Sequence, residues 1–214
     1  MKPAPDRSAE YQVVAPVYDR LIAPLLASEY HKAQILTEHI KAKTVVDLCC
    51  GTGVLAKQLA TGGFTVTGVD LSVDMLKQAR GKHHPNLTFL HANAARTGLP
   101  ADRFDLAIIS MALHEKPADL REQIMLEAKR LITPSGHILL IDYSRPTSLT
   151  GRFARMVAEA IERLAGREHH AHYRTFIAAG GLEGLIDRAN MVVRACHSFH
   201  MGLIKVCLTS TTHP

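Results

Sequence analysis

Through the middle of the chain, short runs of β-branched and aliphatic residues alternate with stretches whose apolar positions recur at helical spacing. The runs Thr44–Cys49, Phe64–Asp70, Leu87–His91, Phe104–Ser110 and His137–Tyr143 read as strands. Several are almost unbroken apolar sequences, the pattern of parallel strands buried on both faces. Between them Val54–Ala60, Val73–Arg80 and Ala118–Leu131 read as helices. Ser72 is a natural N-cap for the second, with Asp74 in the first turn where the helix dipole favours negative charge. This alternation predicts βαβ units and an α/β fold with a doubly wound, mostly parallel sheet.

The two ends differ from the middle. Residues 8–42 read as helical, with Val13, Val14, Val17, Leu21, Ile22, Leu25 and Leu26 in a stripe. Residues 148–166 carry a cleaner stripe of Leu149, Phe153, Met156, Val157, Ala160, Ile161 and Leu164, opposite Arg152, Arg155, Glu159, Glu162 and Arg163. The expectation is a helical cap over 147–175 that buries Phe153 and Met156 against the core. The sharper alternative is a lid whose apolar face meets a hydrophobic ligand or a membrane surface. After Gly180–Gly181 and a short helix, Met191–Phe199 and Gly202–Thr209 read as an antiparallel hairpin at a sheet edge, which makes seven strands. No linker divides the chain, so 1–214 reads as one domain with an N-terminal helical segment over 1–42.

Composition supports this and narrows the class. The 214 residues are 47% hydrophobic and 21% charged, values of a soluble globular domain. A net charge of +5 is too small to argue for nucleic acid. MKPAPDRSAEYQ contains no apolar leader, and no window reaches the roughly 18 apolar residues of a membrane span. A cytoplasmic location is the expectation. The four cysteines, Cys49, Cys50, Cys196 and Cys207, fit a reducing compartment and suggest neither a disulfide framework nor a zinc ribbon.

The chemistry centres on the turn after the first strand, Asp47-Leu-Cys-Cys-Gly51-Thr-Gly53-Val-Leu-Ala56. Glycines there let backbone N–H groups approach a ligand, and the helix behind them favours a negative group. GTGVLA also satisfies the dinucleotide fingerprint, so the loop alone does not name its ligand. Asp70 ends the second strand, 17 residues past Gly53, placed to accept hydrogen bonds from ribose hydroxyls. Both NAD and S-adenosylmethionine contain such a ribose.

Four segments together resemble the class I S-adenosylmethionine-dependent methyltransferases. Asp47-x-Cys49-x-Gly51-x-Gly53 is similar to that family's first motif, with Cys49 where its pattern has glycine. Gly68-Val-Asp70-Leu71-Ser-Val-Asp-Met75 resembles the ribose and adenine segment. Asn93-Ala94, with Leu99-Pro100 and Phe104-Asp105, resembles the adenine-edge turn and the fourth strand that ends at Ser110. Arg130-Leu-Ile-Thr-Pro134-Ser-Gly136 resembles the helix-turn-strand before the fifth strand. Within the superfamily, Val14-Ala-Pro-Val-Tyr18-Asp19 and Asp142-Tyr-Ser-Arg-Pro146 resemble the ubiquinone/menaquinone-biosynthesis C-methyltransferases. Residues 147–175 do not match those enzymes' lid.

The resemblance implies a Rossmann-like methyltransferase fold using S-adenosyl-L-methionine and releasing S-adenosyl-L-homocysteine. It implies a cofactor site of Tyr18, Asp47, Cys49, Gly51, Gly53, Asp70, Leu71, Met75, Asn93, Ala94 and Ser110. It also implies a small-molecule or lipid-like methyl acceptor, quinol-like and partly apolar, taken by a monomer or homodimer with peripheral membrane contact. Neither nucleic acid nor a metal is implied.

Methyl transfer from a sulfonium depends mainly on in-line positioning and exclusion of water. Asp47, Tyr11 and Tyr18 are candidates to favour the cation. A carbon, oxygen or protonated-nitrogen acceptor needs a base, and His114, just past the fourth strand, is the candidate, with Tyr143 orienting the acceptor. Met75 fits helix core as readily as adenine cover. His83-His84 and His169-His170-x-His172 lack the spacing of a known metal motif and read as structural or surface residues, or with His170 or His172 lining the substrate cleft. A short-chain dehydrogenase is disfavoured because no tyrosine is followed by the required lysine, and no P-loop occurs. A cofactor-binding protein without turnover and a phospholipid-headgroup N-methyltransferase remain as alternatives.

Overall fold

Val45, Val46 and Leu48 on the first strand, and Leu106 to Ile109 on the fourth, are shut away from water. Side chains pointing to both faces of these strands are therefore covered, as a parallel sheet between helical layers requires. The computed structural model describes residue 19 and residues 23–146, 148–164 and 166–211. Its strands are β1 (Thr44–Leu48), β2 (Thr65–Asp70), β3 (Leu87–His91), β4 (Phe104–Ser110), β5 (Ile132–Tyr143), β6 (Met191–Phe199) and β7 (Ile204–Thr211). They form one sheet in the order β3-β2-β1-β4-β5-β7-β6. The first five are parallel, and β7 runs antiparallel between β5 and the edge strand β6. Strand order reverses between β1 and β4, which opens a crevice beyond their carboxyl ends.

Helices α1 (Ala27–His39), α2 (Val54–Thr61), α3 (Val73–Arg80), α4 (Ala118–Leu131), α5 (Leu149–Leu164), α6 (Arg167–Ala178) and α7 (Gly181–Arg188) accompany the sheet. Ser72 caps α3 as expected, its hydroxyl accepting from Met75 N–H. Of the expected N-terminal stripe, Leu26 is buried and Leu25 exposed; Val13, Val14, Val17, Leu21 and Ile22 lie outside the described residues.

Three expectations change. β5 begins at Ile132 rather than His137, because a register shift between Phe104 and Leu106 takes up Thr133–Gly136 as an irregular first stretch of strand. Cys196 and Cys207 stand directly opposite in the β6–β7 hairpin and form a disulfide, whereas Cys49 and Cys50 are free thiols. The third concerns the cap. Leu149, Phe153, Met156 and Val157 are 81%, 64%, 65% and 50% exposed, so the apolar stripe of α5 faces away from the core.

The side of α5 that packs carries Gly151, Ala158 and Glu162. A Cβ on Gly151 would lie 2.5 Å from the Met201 carbonyl oxygen and 2.6 Å from Pro146 Cβ, so only a small face can sit this close. Glu162 on the same face meets polar groups. Behind α5, α6 is anchored by buried Tyr173, Phe176 and Ile177. Arg121 of α4, itself buried, donates to the carbonyls of Leu113 (2.9 Å) and His172 (2.6 Å) and lies over the Phe176 ring. It thereby ties α6 to the loop that follows β4. No helix among the described residues is long and apolar enough to cross a membrane.

Candidate active site

The turn from β1 into α2 is wound tightly. Cys49, Gly51 and Gly53 all adopt left-handed backbone conformations, with φ of 61°, 53° and 73°. A Cβ on Gly53 would strike the Phe89 ring at 2.6 Å, and one on Gly68 would meet the same ring at 2.7 Å. Phe89 therefore packs directly on both glycines. Gly51 faces open space, so its backbone is accessible to a ligand. Cys49 holds the same left-handed geometry with a side chain, which L residues adopt at a cost of order 1–3 kcal/mol. The position is thus restricted by backbone angle as well as by size.

Two carboxylates stand at this turn. Asp70 is fixed by backbone donors, one oxygen accepting from Gly51 N–H and the other from Ser72 N–H, each at 2.8 Å. Each oxygen keeps lone-pair capacity for a further donor. Burial raises the Asp70 carboxyl above its usual range, opposed in part by those two hydrogen bonds. Asp47 is 1% exposed, and its Oδ1 has no hydrogen-bond partner among the described residues. Burial, and then neighbouring Asp70, push its carboxyl up to about 8. A buried carboxylate without a donor, beside a second one, is a site that a cation would complete.

The other predicted cofactor residues that are described lie just after β2, on α3, in the turn after β3 and at the end of β4. Met75 is buried, Leu71 is exposed, and the Leu71 carbonyl is hydrogen-bonded to the His91 ring. Asn93 spends its side-chain oxygen on Ala95 N–H, shaping the turn that buries Ala94. Ser110 ends β4 with a buried hydroxyl that has no hydrogen-bond partner among the described residues. Tyr11 and Tyr18 lie outside the described residues. Asp19 accepts from the Thr52 hydroxyl and pairs with Lys82, both at 2.5 Å, which sets this one side chain against the glycine turn.

A second polar cluster is built at the ends of β4 and β5. Asp142 is its centre: Oδ2 accepts from the N–H groups of Leu113 and His114, and Oδ1 from Tyr143 N–H at 2.7 Å and the His114 ring Nδ1 at 2.7 Å. His114 and Tyr143, predicted separately, meet edge-on with ring centres 4.8 Å apart. Both reach Glu162 of α5. The Tyr143 hydroxyl donates to Oε1 at 2.8 Å, and His114 Nε2 stands 3.8 Å from the same oxygen. His169 of α6 holds Oε2 at 2.5 Å through Nε2, with Nδ1 facing Glu115 at 3.6 Å.

Burial would lower the His114 pKa, but Asp142 and Glu162 outweigh it and hold the ring above its ordinary value. Burial likewise opposes ionisation of Glu162, yet His169 and His114 keep its carboxyl below the usual range. Burial and then Glu162 keep Tyr143 a neutral phenol. Glu115 and Lys116 pair beside this cluster; burial is overcome by Lys116 and His114, and the Glu115 carboxyl sits at about 2. Glu162, Glu115 and His169 escaped site prediction. Glu162 lies on the polar face of a helix whose apolar face was expected to pack, and nothing in the residue pattern marks which face turns inward.

A methyltransferase domain model matches residues 45–136. The chain is 31% identical over 144 residues to an uncharacterized methyltransferase of Synechocystis sp., covering 66% of this chain and 68% of that protein. It is 30% identical over 148 residues to a demethylmenaquinone methyltransferase of Listeria welshimeri, covering 64% of this chain and 61% of the Listeria protein. In three dimensions it resembles the PH0226 protein of Pyrococcus horikoshii with a TM-score of 0.69 at 20% identity, covering 95% and 99% of the two chains.

Two outcomes follow from the glycine turn. Cys49→Gly should stay within about 1 kcal/mol of the parent, relief of the left-handed geometry offsetting lost packing and added chain entropy. Cys49→Val should cost at least about 1–2 kcal/mol, because β-branching resists positive φ. Urea denaturation compares them, and a Val variant as stable as the parent contradicts the backbone argument. For Asp47, the folded state raises the pKa from 3.8 to about 8. Between those values the native chain binds the extra proton, so this group's contribution is full below about pH 4 and falls as pH rises through 8. Asp47→Asn should therefore gain stability on the parent from about pH 5 to pH 8; a constant difference contradicts it.

Proposed function

This chain belongs to the class I S-adenosylmethionine-dependent methyltransferases, and we propose that it transfers the sulfonium methyl group to a small or medium, partly apolar acceptor of quinol type. The observation that carries the reading is the pair of carboxylates at the glycine turn, Asp70 held by two backbone donors and Asp47 buried without one. Donor chemistry fits both. The remaining lone pairs of Asp70 suit the two hydroxyls of a ribose, and unpartnered Asp47 suits the cationic end of the donor. Open space at Gly51 admits the ligand against the backbone.

The reaction itself needs little covalent help. A lone pair or carbanion of the acceptor attacks the methyl carbon, the carbon–sulfur bond breaks towards sulfur, and S-adenosylhomocysteine leaves as a neutral thioether. The proton displaced from the acceptor needs a base. The Asp142–His114–Glu162 chain, with the Tyr143 phenol beside it, lies beyond β4 and β5 on the edge where the crevice opens. His114 and Tyr143 are the proposed catalytic residues, with Glu162 as their shared partner.

For the acceptor, the name of the Listeria relative favours a demethylated quinol, although the chain spans about three fifths of that protein's length. The outward apolar face of α5, with Phe153 and Met156 beside exposed Arg152, suits contact with the membrane in which such an acceptor dissolves. A phospholipid amine headgroup is the second reading, favoured by the same face.

The test is a binding and transfer assay on the full chain. S-adenosylhomocysteine should bind stoichiometrically by calorimetry and NAD should not, and Asp70→Ala should weaken that binding at least about tenfold while remaining folded. With a labelled donor, reduced demethylated quinols in vesicles should take up the methyl group. Label in the phospholipid amine instead selects the second reading. Tight NAD binding with none of S-adenosylhomocysteine overturns both.

A further inference from the structure

His114, Glu162 and His169 come from the β4–α4 loop, α5 and α6, and no sequence motif links them. In space one ligand atom from each lies within 4.8 Å of the others. We propose that these three side chains form a binding site for a divalent first-row transition-metal ion. Two imidazoles and a carboxylate are a donor set that such ions accept, with further positions left for water or a ligand oxygen.

Four features beyond the three ligands support an ion here over a simple hydrogen-bonded knot. His114 presents Nε2 to the cluster because Nδ1 is held by Asp142 at 2.7 Å. His169 turns Nε2 towards Glu162 in the same sense, with a Glu115 carboxylate oxygen 3.6 Å from Nδ1, close enough for charge attraction but longer than a hydrogen bond. A carboxylate behind each ligating histidine is what orients imidazole in metal sites and raises its basicity. Asp142 and Glu162 are both nearly fully buried, and their two negative charges balance a divalent ion beside neutral imidazoles. Finally, Tyr173 is 1% exposed with its hydroxyl oxygen buried and without a hydrogen-bond partner among the described residues, its ring edge-on to His114 and Tyr143. A phenol packed against two rings of the cluster is a hydrogen-bonding group available to a water or ligand oxygen.

The required movement is small. Ligand atoms around a tetrahedral ion with bonds of about 2.1 Å lie about 3.4 Å apart. The 2.5 Å contact of His169 with Glu162 Oε2 would open, and the widest separation among the three ligand atoms, within 4.8 Å, would close by at most about 1.4 Å. The ion would replace the proton that now joins His169 to Glu162. The ion would occupy the His114 Nε2 that is also the proposed base, so ion binding is measured here without donor or acceptor, and its failure leaves the transfer reading untouched.

The test uses the full chain stripped with chelator, without S-adenosylmethionine. Zinc chloride is titrated by calorimetry, and cobalt(II) by its visible absorption, which reports low-symmetry coordination by nitrogen and oxygen. One ion per chain is expected. His169→Ala and Glu162→Gln should each weaken binding at least about 100-fold, and Asp142→Asn about 10–100-fold. His83→Ala/His84→Ala, outside the cluster, should bind as the parent does. His169 is partly exposed, so its variant reports even if one at Glu162 fails to fold. No binding by the folded parent chain, or binding unchanged in both ligand variants, overturns the site.

Discussion

An ionisable carboxylate buried without a hydrogen-bond donor is the constraint from which the rest of this structure follows. Asp47 sits on β1 between strands that leave it no water, with Asp70 on the neighbouring strand adding like charge. Such a group is costly to ionise in isolation, and the free chain accommodates it by holding the proton far above the ordinary range. The surrounding geometry keeps it that way. Left-handed backbone at Cys49, Gly51 and Gly53 bends the chain sharply past Asp47, and Phe89 stacks on the glycines of the turn and of β2. The same bend aims Gly51 N–H at Asp70 and leaves the Gly51 face open. A cation with hydroxyl donors nearby satisfies both acids at once.

The second carboxylate, Asp142, organises the neighbouring strand ends in the opposite manner. It is as buried as Asp47 but accepts from three backbone N–H groups and from His114. One acid is therefore saturated and structural, while Oδ1 of the other has no hydrogen-bond partner among the described residues. Asp142 fixes the loop after β4, and that loop carries His114 towards Glu162. Glu162 arrives on a helix held to the body by small residues and this polar contact, so the helical cap and the polar cluster depend on each other. The outward apolar face of α5 is a consequence: the inner face is already committed to His114, Tyr143 and His169.

Much of this was legible in the residue pattern. The apolar runs expected as strands at Thr44–Cys49 and Phe104–Ser110 depend on short-range rules of periodicity, and they appear as Thr44–Leu48, one residue shorter where Cys49 turns left-handed, and Phe104–Ser110. The Ser72 cap of α3 followed from the same local logic. What escaped depends on register or on choice of face. Cys196 and Cys207 pair because the β6–β7 register sets them opposite. The bulge that takes up Pro134 is set by pairing with β4. Amphipathicity told that α5 has two faces; only the presence of His114 and Tyr143 decides that the one with Glu162 turns inward.

The most direct measurement is the proton balance of donor binding near pH 7, obtained by calorimetry in buffers of differing ionisation enthalpy. On the proposed reading Asp47, with its carboxyl at about 8 in the free chain, loses its proton to face the donor's positive charge. S-adenosylmethionine binding should therefore release a substantial fraction of one proton from the parent chain and none from Asp47→Asn. Binding of the donor to the parent without proton release would contradict the account.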